Sequence, residues 1–150
     1  MHYTIRTAVR GDFPRINGLF IEMLNTIYQS DNAKGYAESE LDYYFSGGDD
    51  VIFLAEDAGL PIAFLSVEGH HDNDLAYIYL DDFSVSAQYR SRGIGAALLR
   101  RAEQHANAHG YPLVFLHVEA HNRRAYRFYT AHGFCEDEVQ GSRIRMKKAL

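Results

Sequence analysis

Ile16, Leu19, Phe20, Met23, Leu24 and Ile27 follow one another at spacings of three and four. That period lines one face of a helix, with Asp12 as its N-cap and Pro14 in the first turn. TIRTAV at 4–9 has strand character and precedes the break at Gly11. Residues 29–36, QSDNAKGY, read as a loop. Residues 37–46 read as a second, shorter helix, ended by Gly47 and Gly48. The pattern then changes. VIFLAE (51–56) and IAFLSVEG (62–69), joined by a turn over 57–61, predict a hairpin. HHDND (70–74) predicts another turn, and AYIYLDDFSV (76–85), rich in aromatic and β-branched residues, another strand.

Helical composition returns over 93–109, with Ile94, Leu98, Ala102 and Ala106 along one side and Gly110 and Pro112 as terminators. LVFLHVEA (113–120) is a buried type of strand. Ala125, Phe128, Tyr129 and His132 mark one face of a short helix closed by Gly133. The tail from Phe134 to Lys148 predicts two strands around Gln140–Gly141. The predicted order is β-α-α-β-β-β-α-β-α-β-β. Early hairpins and one late strand–helix–strand crossover predict a mixed α/β (α+β) domain, not a doubly wound parallel sheet.

Length and charge narrow the function. At 150 residues the chain predicts one domain, 1–150, able to bury a core without staples. The formal net charge of −5 gives no support for nucleic-acid binding and suits a cationic substrate better than an anionic one. No apolar run approaches the ~20 residues that span a bilayer, and the N-terminus lacks the apolar core of a signal peptide. The sole cysteine, Cys135, excludes an intrachain disulfide. A cytoplasmic location, with no membrane partner, is the expectation.

YRSRGIGA at 89–96 carries the most chemistry. A helix start leaves backbone N–H groups without intrahelical acceptors, and its dipole favours an anion. Gly93 and Gly95 let a ligand approach the backbone, and Arg90 and Arg92 add charged donors. The pattern fits a pyrophosphate cradle; it also fits a plain strand-to-helix turn. GxxxxGK[ST] is absent, as is GxGxxG after an N-terminal strand, which disfavours a nucleotide-phosphate module.

Arg90-Ser91-Arg92-Gly93-Ile94-Gly95 resembles the (Gln/Arg)-x-x-Gly-x-(Gly/Ala) signature of the GNAT N-acetyltransferases, between a strand and an amphipathic helix as in that family. Asn122-x-x-Ala125-x-x-Phe128-Tyr129-x-x-x-Gly133-Phe134 resembles its second signature. YLDDFSV (79–85) also resembles the matching strand of diamine and polyamine acetyltransferases, with Asp81 where those carry Glu. The resemblance implies the GNAT acyl-CoA N-acyltransferase fold: a central mixed, mostly antiparallel sheet of about six or seven strands, flanked by about four helices. It implies acetyl-CoA as cosubstrate and a primary amine of a small cationic molecule (polyamine, amino acid or aminoglycoside-like) as acceptor, by direct attack in a ternary complex. The alternatives are a protein N-terminus or lysine as acceptor, and a non-catalytic acyl-CoA sensor. A homodimer, with the C-terminal strands as a candidate interface, follows by the same analogy.

Carried over residue by residue, the backbone of Phe83, Ser84 and Val85 holds the pantetheine arm. The amides of Arg90, Ser91, Arg92, Gly93, Ile94, Gly95 and Ala96 hold the pyrophosphate, and Asn122 contacts the arm. Tyr129 matches the family's general acid toward the departing thiolate, and the Val85 N–H faces the oxyanion. Asp81 is the first candidate for proton acceptor, through a water and with a pKa raised by burial near Tyr79 and Phe83; alternatively it only binds the cationic amine. Strand alternation puts Tyr77, Tyr79, Asp81 and Phe83 on one face and Asp82 on the other, where it reads as solvated or structurally paired. His117 is an alternative base or a core histidine. Tyr28, Tyr36, Tyr43 and Tyr44, beside Glu38, Glu40, Asp42, Asp49 and Asp50, make an aromatic and acidic wall suited to a cation. Tyr28, Tyr79, Asp81 and His117 are the substrate-binding candidates. His105 and His109 lie four apart, but with no acidic third ligand and no HExxH no metal site is expected.

Overall fold

The computed structural model describes residues 2–150. Seven strands form a sheet in the order β1-β2-β3-β4-β5-β7-β6. They are β1 (Thr4–Thr7), β2 (Val51–Asp57), β3 (Leu60–Asp72), β4 (Leu75–Val85), β5 (Leu113–Glu119), β6 (Cys135–Gln140) and β7 (Arg143–Ala149). The α-helices are α1 (Phe13–Tyr28), α2 (Ile94–Ala108) and α3 (Arg123–Ala131). The chain divides into two compact units: one runs to Val67 and resumes over Asp82–Ala102, the other takes Glu68–Asp81 and Glu103–Leu150.

In the first unit β1 pairs antiparallel with β2, and β2 with β3. The β2–β3 turn is only Ala58–Gly59, with φ of 51° and 81°. Positive φ at both central residues is the type I′ geometry whose twist suits a hairpin. Ile16 and Leu19 of α1 pack with Ile52, Leu54 and Phe64 of the strands and with Leu41 and Tyr44. Each such buried aliphatic side chain contributes about 1.5–3 kcal/mol, so Ile16→Ala would cost about 2–5 kcal/mol. The apolar stripe of α1 is buried only in its first half: Ile27 is 59% exposed and Tyr28 71%.

Asp12 stands before α1, but its carboxylate does not cap that helix. It accepts the Val9 N–H at 2.8 Å and both Arg6 amino groups at 2.7 Å. Arg6 Nε reaches Glu56 at 2.7 Å, and Arg15 reaches the other Glu56 oxygen at 2.8 Å. This ion network ties β1, β2 and the start of α1 together.

The second predicted helix, 37–46, is not an α-helix; only a 3-10 turn forms, over Asp42–Phe45. Three α-helices therefore stand where about four were expected. Tyr43, Tyr44 and Phe45 are poor helix formers, and burying Leu41 and Tyr44 in the core fixes the segment instead. The HHDND turn is also shorter than expected. β3 runs on to Asp72, and Asn73, with φ of 56°, makes the turn with Asp74.

In the second unit β4 and β5 pair in parallel over Ile78–Leu80 and Val114–Leu116. β5 pairs antiparallel with β7 along its whole length, and β7 with β6. Ile78, Leu80, Val114, Leu116, Val118, Ile144 and Met146 are buried, which fixes the opposite face of these strands as the one carrying Tyr77, Tyr79, Phe115 and His117. α2 ends in a Schellman motif: the Tyr111 N–H bonds Ala106 O at 2.9 Å and the Gly110 N–H bonds Asn107 O at 3.3 Å, with Gly110 at φ 79°.

Candidate active site

β4 feeds the Arg90–Gly93 loop through a braced turn. The Ser86 N–H bonds Ile62 O at 2.8 Å, and the Glu22 carboxylate accepts the Ser86 hydroxyl at 2.9 Å and the Ala87 N–H at 3.1 Å. A 3-10 turn over Ala87–Tyr89 follows, held by the Tyr89 hydroxyl on Asp57 at 3.1 Å. Ser91 and Gly93 then both take positive φ, 62° and 81°, on either side of Arg92. Alternating backbone handedness turns successive N–H groups to one side and makes an anion nest. α2 begins at once, and its first turn adds the Ile94, Gly95 and Ala96 N–H groups, which have no intrahelical acceptor. A Cβ placed on Gly93 would meet nothing within 4 Å, so the space beside the loop is open.

Side chains around the loop are anchored away from it. Ile94 is fully buried, which pins the helix start. Arg92 stacks on the Tyr89 ring at 5.2 Å, and Arg90 Nε donates to Val85 O at 3.4 Å. Ser84 is buried, with Phe83 and Val85 partly so. Asp82 accepts the Tyr36 hydroxyl at 2.5 Å. Tyr36 in turn stacks on Phe20 at 3.9 Å, and Tyr44 is a core residue. Tyr28 is exposed.

The second unit holds the titratable side chains. The parallel β4–β5 ladder ends at Leu80 and Leu116, and Asp81 and His117 come next along each strand. Here the two strands begin to part. His117 Nε2 lies 2.8 Å from Gln140 Oε1, a carbonyl acceptor, and therefore carries the proton. Its Nδ1 then accepts the Tyr79 hydroxyl at 2.6 Å. The Tyr79–His117 contact joins residues 38 apart in the sequence. Burial raises the Tyr79 pKa above the ordinary phenol value. Tyr129 is affected more strongly: burial, and secondarily the neighbouring Tyr79, push its pKa up to about 12. Its phenol is therefore protonated at any physiological pH and is a hydrogen-bond donor.

Asp81 is exposed. Asn122 caps α3, its Oδ1 accepting the Ala125 N–H at 3.2 Å, so its place before the helix has a structural cause. The Tyr79–His117–Gln140 chain is the feature that sequence reasoning missed; only the shared face of Tyr79 and of His117 with their neighbours pointed toward it. Among the described residues no group of three or more His, Cys, Asp or Glu side chains is placed to hold a metal. No helix among them is long and apolar enough to cross a membrane.

Residues 21–134 match the acetyltransferase (GNAT) family. The chain is similar to the uncharacterized N-acetyltransferase YhfO of Bacillus subtilis, 31% identical over 89% of this chain and 90% of that one. An uncharacterized N-acetyltransferase of Methanocaldococcus jannaschii is 28% identical over 99% of this chain and 67% of its own length. Among solved structures, the PaiA N-acetyltransferase of Thermoplasma acidophilum, in complex with coenzyme A, superposes with a TM-score of 0.87 at 21% identity over the whole of both chains.

Proposed function

The chain belongs to the acetyltransferase (GNAT) family, and on that premise we propose that it transfers an acetyl group from acetyl-CoA to a primary amine of a small cationic molecule. The observation that carries the cosubstrate assignment is the Ser91–Gly93 nest running into the first turn of α2. It offers several convergent N–H donors to a diphosphate without needing a side chain. The backbone of Phe83, Ser84 and Val85, in the last part of β4, holds the pantetheine arm. The match over residues 21–134 runs through both units, which supports a single functional domain.

The chemistry is direct attack in a ternary complex. An ammonium has no lone pair, so it first loses one proton. The amine nitrogen then bonds the thioester carbonyl carbon, the C–S bond breaks, and the new amide sheds the second proton. Net, R–NH3⁺ and acetyl-CoA give R–NH–acetyl, CoA–SH and H⁺. The Val85 N–H stabilises the oxyanion. Tyr129 donates to the departing sulfur, a role suited to a phenol held neutral. His117 takes the amine proton through Tyr79: the phenol oxygen accepts it as its own proton passes to Nδ1. Histidine is the side chain that changes charge near neutrality. Asp81, exposed beside Tyr79, attracts the cation rather than acting as base.

Calorimetry with acetyl-CoA, followed by thiol release across amines and peptides, tests the reading. Binding together with amine-dependent thiol release is expected. No binding heat at all, or binding with no release for any amine, would overturn it, the latter in favour of an acyl-CoA sensor.

A further inference from the structure

Resting on the acetyltransferase reading, we infer that the acceptor is a primary amine bearing a single aromatic ring on a short alkyl arm, with the ring seated in the trough that Leu75, Tyr77 and Phe115 line. A cavity of about 270 Å³ opens beside the Tyr79–His117 pair. Its walls are chiefly apolar: Tyr77 and Phe115 meet edge to face at 5.0 Å, and Leu75 forms the rim. A dry apolar cavity of about 150 Å³ accommodates benzene. This one therefore has room for a ring and the two or three atoms that lead to an amine at Tyr79.

Charge decides between amine classes. Arg145 borders the cavity, but Asp137 at 2.7 Å and Glu138 at 3.1 Å engage its guanidinium, which also lies 5.6 Å over the Phe115 ring. Lys147 shares Asp137 at 3.2 Å. Asp72, the one carboxylate on the wall, accepts the Tyr77 hydroxyl at 2.7 Å. Glu68 is turned to His70 at 3.1 Å, and His70 stacks on the far side of Tyr77 at 5.1 Å. A polyamine would bring a second ammonium into this trough and find one already engaged carboxylate. An aromatic ring would find a lining that is chiefly apolar and partly aromatic. Arg143 hydrogen-bonds the Tyr79 hydroxyl and already sets one positive charge at that end, so the electrostatics accommodate no ammonium beyond the reacting amine.

The test is steady-state thiol release with saturating acetyl-CoA and phenethylamine, n-butylamine, putrescine, spermidine or a short peptide as acceptor. Phenethylamine is expected to exceed putrescine in kcat/KM by about tenfold or more, the order that burying one ring gives. Tyr77→Ala should raise the phenethylamine KM about tenfold, with little change for n-butylamine and an unchanged acetyl-CoA KM. Tyr77→Phe, which keeps the ring and drops the Asp72 bond, should retain the preference. Leu75→Glu, at an exposed rim position, should lower phenethylamine and raise putrescine. Preference for putrescine, spermidine or the peptide overturns the inference, as does an equal loss for every amine in Tyr77→Ala. If acetyl-CoA binds and some other amine is acetylated, only this inference falls. If acetyl-CoA gives no heat, the acetyltransferase reading falls with it.

Discussion

Tyr129→Phe removes one oxygen from a largely buried ring, and the structure sets the size of the effect. The phenol has a pKa of about 12, whereas a thiol such as that of CoA ordinarily ionises near 8.5. Full proton transfer from phenol to thiolate would then be uphill by roughly 3–4 pKa units, about 5 kcal/mol. In its proposed role Tyr129 would therefore act mainly by donating a hydrogen bond to sulfur as negative charge develops there. A bond to a charged partner contributes about 1.5–3 kcal/mol, so kcat should fall roughly 10–150-fold. The acetyl-CoA KM should change little, because the bond strengthens only in the transition state. Thiol release under saturating amine and acetyl-CoA reads both parameters. A kcat within twofold of wild type, or a loss confined to KM, refutes the role. The same shift has a second consequence in stability. A phenol whose pKa rises on folding, from 10 to about 12, adds stability that is complete below pH 10 and is lost as pH climbs through 12. The loss is at most about 3 kcal/mol. Alkaline urea melts of wild type should therefore weaken more steeply over that window than those of Tyr129→Phe.

Other substitutions probe the remaining links. Gly93→Glu should abolish measurable acetyl-CoA binding by calorimetry, since it strains a φ of 81° and sets a carboxylate beside the nest. Gly93→Ala meets no atom within 4 Å, so it should cost stability about 1 kcal/mol and affinity far less than the Glu change. His117→Ala should depress kcat at pH 7 by about 10²-fold or more and make the remaining rate rise with pH, as free amine becomes available in solution; an unchanged pH–rate profile would exclude the relay. Asp12→Ala strips Arg6 of its largest partner and should lower stability by about 2–3 kcal/mol, discounted because Arg6 is 38% exposed. The Arg6 bonds hold the Asp12 pKa below the ordinary carboxylate value. Its contribution is thus full above about pH 4 and fades as pH falls through the lower folded value, so the variant should show a shallower acid limb in thermal melts. Ser66→Ala should be neutral or stabilising by about 0.5–1 kcal/mol, because the Ser66 hydroxyl is buried without a hydrogen-bond partner.

The parts of the fold that follow from a local period were legible in the chain. The α2 stripe, the alternating strands and the Gly110 and Gly133 terminators all sit where the pattern put them. Segments decided by tertiary burial were not. Residues 37–46 carry helical spacing, yet Leu41 and Tyr44 enter the core from a 3-10 turn. Ile27 continues the α1 stripe, but nothing in its own unit covers it and it is exposed.

The same distinction separates Asp81 from Tyr79. Alternation along β4 correctly put both on one face, because a pleated strand has a fixed period. Depth along that face is another matter, since it depends on the neighbouring strand. The β4–β5 ladder ends at Leu80 and Leu116. Tyr79, on the paired side of that limit, is partly buried and meets His117; Asp81, just past it, is exposed. His117 is held at the same place by Gln140, with its Nδ1 on the partly buried Tyr79 phenol. On the function proposed above, the His117 relay takes the proton and Asp81 attracts the positive charge. The variants separate the two roles: Asp81→Asn should raise the amine KM and spare kcat, whereas His117→Ala should lower kcat and spare KM. The reverse pattern would return Asp81 to the role of base.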